Sequence, residues 1–479
     1  MTQPRAAAPA SLRLYNSLTR QVETLDPVTP GDVTIYTCGS TVYRYAHIGN
    51  LRTYLFGDLL RRTLDYLGYR VTYVKNITDV GHMRDDQHDS GEDRMILAAL
   101  EEGKSPAEIA QFYTDAWLAD EALINIQLAD VMPKATDHIP DMIAMIEVLL
   151  EKGLAYRVDG TVYFDVSAYP AYGRLSGQRV EETRAGTRVE VETDKRDPAD
   201  FALWKAAEPG RLMKWPSPWG EGFPGWHIEC SVMSIKYLGE RFDIHTGGID
   251  LKFPHHEDEI AQSEGVTGHP VVSTWMHGEF LTLADAKMAK SAGNIIRVSD
   301  LPEKGFQPLD FRYLALTAHY RSKLDFTEAA MHAAASGLAR LRRAVAEGAN
   351  EETDGGSVDL AAEPTAGYRK RFAGAISDDL AMPAALALAQ TVVADATLRP
   401  AQRRALLLDF DRVFGLGLDV TPDAADAELP EGAAELLEQR AAARAAQDYA
   451  TSDRLRDELA ALGVEVRDTP EGQVSRLLG

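Results

Sequence analysis

Apolar and polar positions change period along this chain, and the changes divide it into elements. Val33, Ile35 and Tyr36 occupy the core positions of a short strand ending at Cys38. After a loop, Leu51, Tyr54, Leu55, Leu59 and Leu60 recur at helical spacing, and Gly68 stands where a helix-ending glycine belongs. Residues 69–77 (YRVTYVKNI) alternate like a second strand. Strand, helix and strand in so short a span make a βαβ unit, which predicts a parallel, doubly wound sheet. Residues 106–125 and 137–152 read as amphipathic helices, and from Ala155 to Lys205 the pattern turns to short strands, turns and charges. That stretch reads as an insertion between two halves of the sheet domain. A helix starting near His227, a buried strand in FDIHTGGIDL and a helix opened by Pro254 then return to the core.

Helical spacing dominates the rest. Segments 309–319, 326–348, 366–376, 382–397 and 400–413 predict a bundle, with ANEETDGGSVD as a loop inside it. The fold class expected is α/β: a Rossmann-like parallel-sheet domain with a connective insertion, then an α-helical bundle and a small mixed α/β domain. The expected boundaries are a leader and N-terminal segment 1–22, a first half-domain 23–125, an insertion 126–224 and a second half 225–305. They continue with a bundle 306–416, a Pro-, Gly- and acid-rich linker 417–432, and a last unit 433–479 of one long helix and a short β-like end. The first sixteen residues read as a disordered leader. Residues 82–93, rich in acids and holding His82 and His88, read as a solvated loop, because no ligand spacing there is regular.

Composition narrows the setting. Cys38 and Cys230 are the two cysteines, too few for a disulfide framework, so a reducing, cytoplasmic compartment is expected. No apolar run approaches the roughly 18 residues of a membrane helix. A formal net charge of −23 argues against non-specific nucleic-acid affinity. A specific RNA partner stays compatible with it, since a local basic face acts within about 8–10 Å.

Candidate chemistry starts at the mouth of the first helix. His47, Gly49 and Asn50 sit where free N–H groups and the positive dipole end favour phosphate. Taken alone, these residues are better explained by a turn glycine and a satisfied histidine. A second motif, Lys287-Met288-Ala289-Lys290-Ser291, lies far downstream. Together, HIGN and KMAKS resemble the two signatures of class I aminoacyl-tRNA synthetases, with Asn50 and Ala289 as departures from the common histidine and serine. YTCGSTVY, GWHIEC and FPHHEDE narrow the resemblance to cysteinyl-tRNA synthetases, and it extends from about Leu12 to Gln473.

On spacing, His255 and Glu259 share a helix face, but nothing joins them to Cys38 or Cys230, and two inert buried thiols with a helix-start histidine are the favoured account. The resemblance implies more: one Zn²⁺ held by Cys38, Cys230, His255 and Glu259, reading the thiolate of L-cysteine against serine. It implies catalysis by His47, Asn50, Lys287 and Lys290. ATP with Mg²⁺ would lie on these together with Gly49, Gly247, Gly248, Asp250 and Ser291, and cysteine on Thr78, Trp226 and His245. Arg444, Tyr449, Asp453, Arg456 and Asp468 would read the anticodon of tRNA-Cys, with Tyr449 in place of a tryptophan found in some relatives. A monomer with no membrane association is expected. The competing activity is a mycothiol-type ligase that joins cysteine to an amino sugar.

Overall fold

A computed structural model describes residues 11–81, 83–85, 90–93, 95–96, 103–177, 195–283, 286–287, 296–355, 358–419, 432–446, 448–469 and 472–477. The chain opens with a hairpin of β1 (Arg13–Asn16) and β2 (Gln21–Thr24). The βαβ unit follows as β3 (Asp32–Thr37), α1 (Ile48–Tyr66) and β4 (Arg70–Lys75). A short antiparallel pair, β5 (Met83–Asp85) and β6 (Ser90–Asp93), precedes the helices α2 (Pro106–Leu123) and α3 (Ile139–Glu151). Next come the insertion strands β7 (Ala155–Val158), β8 (Thr161–Phe164), β9 (Phe201–Ala206), β10 (Trp215–Ser217) and β11 (Gly220–Pro224). They form one antiparallel sheet in the order β10-β11-β9-β8-β7.

The core resumes with α4 (Trp226–Leu238), β12 (Phe242–Gly248), α5 (His255–Thr267) and β13 (Val272–Gly278). Strands β13-β12-β3-β4, in that order, make a parallel sheet. The chain winds outward from β3 to β4 and the opposite way from β12 to β13. The crevice beyond the C-terminal ends of β3 and β12 is thus the switch point where such sheets bind ligands. Burial follows the apolar pattern: Val33, Ile35, Leu51 and Leu60 are fully enclosed, and Gly68 ends the first crossover at φ +93°.

Strand β14 (Leu281–Leu283) then pairs with β15 (Ala286–Lys287) and, past α6 (Pro308–Leu316), with β16 (Leu324–Phe326). The bundle is α7 (Glu328–Gly355), α8 (Thr365–Ile376), α9 (Met382–Ala394) and α10 (Pro400–Phe414). The last unit is α11 (Ala433–Ala445), α12 (Tyr449–Ala461) and a hairpin of β17 (Val464–Thr469) with β18 (Gly472–Leu477).

Four local expectations change. Residues 12–16 are not leader: Leu12 and Leu14 are buried, and Asn16 Nδ2 donates to the Ser273 carbonyl at the edge of β13. Part of 82–93 is paired strand, not loop. The expected loop after residue 348 is helix as far as Gly355, because its Ala and Glu residues favour helix and the stop comes only at the glycine pair. The long C-terminal helix is two helices, with Asp448 capping the second through the Thr451 N–H.

Bundle and sheet domain are joined by a buried cation. Arg312 on α6, fully enclosed, pairs with Asp58 on α1 at 2.6 Å and donates to the carbonyls of Ile124 and Phe414. Arg312→Ala leaves Asp58 with Arg62 as its one cation among the described residues and orphans two carbonyls. It is expected to lower unfolding free energy by about 3 kcal/mol or more in urea denaturation. Arg454→Ala breaks the exposed α12 pair with Glu458 and is expected to stay within about 0.5 kcal/mol.

Candidate active site

The mouth of α1 is a capping box. His47 is the N-cap: its Nδ1 accepts the Asn50 N–H at 3.2 Å, and its own backbone N–H donates to Asn50 Oδ1 at 3.2 Å. This reciprocity fixes both side chains. Nδ1 is an acceptor, so the neutral imidazole carries its proton on Nε2. Oδ1 is occupied, so the carboxamide is left with its Nδ2 donors. The Ile48 N–H is taken by the Ile296 carbonyl. A Cβ on Gly49 would come 2.9 Å from His47 Nδ1, so glycine keeps the cap seated.

At the ends of β3 and β12, four side chains from three elements converge. Cys38 follows β3, Cys230 lies on α4, and His255 and Glu259 lie one turn apart on α5. Their ligating atoms all fall within 4.8 Å of one another, and all four residues are buried. The two sulfurs are 3.7 Å apart, Cys38 Sγ is 3.7 Å from Glu259 Oε1, and His255 Nε2 is 3.1 Å from that oxygen. His256 Nε2 also approaches Cys38 Sγ at 3.4 Å, giving a second candidate set of Cys38, His245, His256 and Glu259. Burial pushes both thiols above their ordinary value, and with neighbouring imidazoles it holds His256 well below.

A relay orients His255. Tyr172 donates to Asp258, Asp258 accepts from His227 Nε2 at 3.2 Å, and His227 Nδ1 lies 2.8 Å from His255 Nδ1. The carboxylate holds the His227 proton on Nε2, so His255 donates from Nδ1 and turns the Nε2 lone pair toward the cluster. His245 Nε2 holds the other Glu259 oxygen at 2.9 Å.

Two cavities meet above the cluster. One, of about 240 Å³, reaches from Cys38, Thr41 and Trp226 to Asn50 and Asp250. The other, of about 220 Å³, runs from Asp250 past His47 and Gly49 to Gly278 and Phe280. Arg44, Asn50, Thr53, Gly248 and Asp250 line both, so they are two lobes of one cleft. Thr78 is buried beside the Ser40–Val42 loop and accepts from Asn76 Nδ2, while Gly247 packs on His256. His245 lies beneath the cleft, stacked on Trp275 at 4.5 Å. Lys287 is described by its backbone in β15, and Lys290 and Ser291 lie outside the described residues.

Residues 24–336 match the family model for the class I (C) tRNA synthetase catalytic domain, and 426–476 match the cysteinyl-tRNA ligase anticodon binding domain. Cysteine–tRNA ligases from Chlorobaculum tepidum (44% identity, 97% of this chain, 98% of theirs) and Thermus thermophilus (45%, 97% and 99%) align nearly end to end. This chain belongs to the cysteine–tRNA ligase family. A methionyl-tRNA synthetase of Mycobacterium tuberculosis, solved with methionyl-adenylate, shares the fold at TM-score 0.55 and 16% identity, over 80% of this chain and 90% of that one.

Within this cysteine–tRNA ligase fold, sequence reading assigned no part to His227, Asp258 and His256 around the cluster, or to Arg44 in the cleft. His227, His256 and Asp258 lie inside motifs already singled out, but what joins the two motifs is tertiary packing that no spacing encodes. Of the residues expected to read the anticodon, Tyr449, Asp453 and Arg456 lie on one exposed face of α12, Arg444 is exposed on α11, and Asp468 is described by its backbone in β17.

The cleft floor tolerates no added bulk. A Cβ on Gly39 would fall 1.7 Å from the Asn76 carbonyl oxygen, a backbone atom. Gly39→Ala is expected to cost about 1–3 kcal/mol in denaturant unfolding. Gly374→Ala, in α8 with open space at Cβ, is expected to gain about 0.5–1 kcal/mol.

Proposed function

We propose that this chain is a cysteine–tRNA ligase. It joins L-cysteine to ATP, forming cysteinyl-adenylate and pyrophosphate, and passes the cysteinyl group to the 3′ end of tRNA-Cys. The observation that carries this reading is one cleft with a thiol, imidazole and carboxylate cluster at one end and a donor-lined helix mouth at the other. Cysteine occupies the first lobe, between Trp226 and the loop braced by Thr78, and ATP the second.

The cluster fits Zn²⁺. Bonds of about 2.3 Å to sulfur place two tetrahedral sulfurs about 3.8 Å apart, and bonds of about 2.0–2.1 Å place N and O donors about 3.3 Å apart. The observed separations are 3.7 Å and 3.1 Å. Cys38, Cys230, His255 and Glu259 hold the ion, with His227 and Asp258 orienting the imidazole and His245 the carboxylate. Bound there, zinc supplies a soft centre that takes a thiolate in preference to a hydroxyl.

The residues of the second lobe work by position and charge. His47 Nε2–H, Asn50 Nδ2–H and the Gly49 backbone face the phosphates. Gly248 lets the nucleotide approach the backbone, Gly247 supports that edge of the ATP site from its seat against His256, and the Asp250 carboxylate accepts from ribose hydroxyls. Lys287 and Lys290 neutralise charge on the departing pyrophosphate, with Mg²⁺ assisting, and the neutral Ser291 hydroxyl is a further ATP contact. The attacking carboxylate is already ionised, so no general base is required. Arg444, Tyr449, Asp453, Arg456 and Asp468 read the anticodon, Tyr449 by stacking worth about 1–3 kcal/mol. The working unit proposed is a monomer. The family match over residues 426–476 disfavours an amino-sugar ligase, which needs no anticodon reader.

Charging of a tRNA transcript with a GCA anticodon, using labelled cysteine, ATP and Mg²⁺, tests the reading. Charging is expected, and a swapped anticodon is expected to abolish it. Cysteine-dependent pyrophosphate exchange with no charging of either transcript would favour the amino-sugar ligase. Metal analysis is expected to find one zinc per chain. Asp258→Ala, by releasing the relay, is expected to weaken zinc about 10–100-fold in a chelator competition.

A further inference from the structure

Resting on that reading, we propose that Arg44 binds the α-phosphate of ATP, where bond formation and cleavage take place. Arg44 lines both lobes of the cleft, at the junction where the cysteine carboxylate and the nucleotide must meet. Among the described residues it is the one lysine or arginine lining either lobe. The other charged groups there, Asp250 and Glu279, are carboxylates and would repel a triphosphate. Among the described residues neither forms an ion pair with Arg44, whose guanidinium carbon lies over the Tyr43 ring, 5.2 Å from its centroid. A half-buried guanidinium kept off nearby acids and resting on an aromatic face is a prepared anion site.

Its place in the chain supports the assignment. Arg44 precedes the α1 cap by three residues, so its charge stands beside the helix mouth to which His47, Gly49 and Asn50 contribute neutral N–H groups. Those neutral donors position a phosphate but neutralise none of its charge. During activation a carboxylate oxygen of cysteine bonds to the α-phosphorus. The bond from that phosphorus to the bridging oxygen breaks, and the electron pair leaves with pyrophosphate. Charge on the non-bridging oxygens rises along the way, and a guanidinium forks onto two such oxygens.

Pyrophosphate exchange with cysteine and ATP, in the absence of RNA, tests this on the zinc-loaded full chain. Arg44→Ala is expected to lower the exchange kcat about 100-fold, with zinc content and cysteine KM unchanged. Arg44→Lys is expected to recover roughly a tenfold part of that loss. In equilibrium binding, the alanine variant is expected to lose roughly tenfold in affinity for AMP and nothing for adenosine. Exchange within twofold of wild type would overturn the assignment. So would equal losses for AMP and adenosine, or a loss for ATP with AMP unaffected, which would place the cation on the leaving group. Normal exchange with slowed transfer to tRNA would move the contact to an RNA phosphate and also overturn it. A wild-type chain showing no cysteine-dependent exchange would instead bring down the ligase reading itself.

Discussion

The structure depends on the parallel pairing of β3 with β12. These strands come from opposite halves of the sheet domain, with an entire antiparallel insertion between them in the chain. Their register sets Ile35 beside Ile244 and Thr37 beside Thr246, whose hydroxyls meet at 2.6 Å. The ladder continues one step further, from the Cys38 N–H to the Thr246 carbonyl. Side chains alternate along a strand, so a slip of one residue would turn Cys38 away from α4 and α5. The pairing therefore decides both where the crevice opens and whether the cluster exists.

Around that junction, buried charge is met by specific partners. Lys75 and Glu121, both enclosed, pair at 2.6 Å and tie β4 to α2, with the Trp117 and Tyr54 rings around the ammonium. Asp58 is shared by Arg312 and Arg62 and also accepts the Gln127 N–H. Such networks are costly to leave half made, so they favour a single arrangement of sheet, insertion and bundle.

The parts of this architecture that follow from local period were legible in sequence. Strand β3, helix α1, strand β4 and the bundle helices fall close to where alternation and helical spacing put them. The first hairpin was not, because its four-residue strands adjoin an Ala- and Pro-rich start and are held by remote segments, β13 and residues 377–379. The break between α11 and α12 hinges on one Asp cap inside an otherwise helical run. The cluster was legible only through family motifs, since Cys38 and Cys230 meet through tertiary pairing that no spacing encodes. The relay through Asp258 and His227 was hidden for the same reason: its members belong to different helices. Asn50 was visible as a departure, and the capping box supplies its physical rationale: a carboxamide can close the box and still donate.

The division of the donors between two distant halves of the chain bears on how the protein is made at the ribosome. Cys38 emerges early, and its next partner follows only after β4, two long helices and the whole insertion have been synthesised. Until Glu259 is out, the nascent chain has no complete donor set, so metal capture cannot guide folding of the first half. That half must reach its own βαβ arrangement through its own burial, strand pairing and the Lys75–Glu121 pair, with Cys38 held as a bare thiol. Any metal the cluster takes is thereby acquired late in biogenesis, and its capture would report that both halves have found each other in register.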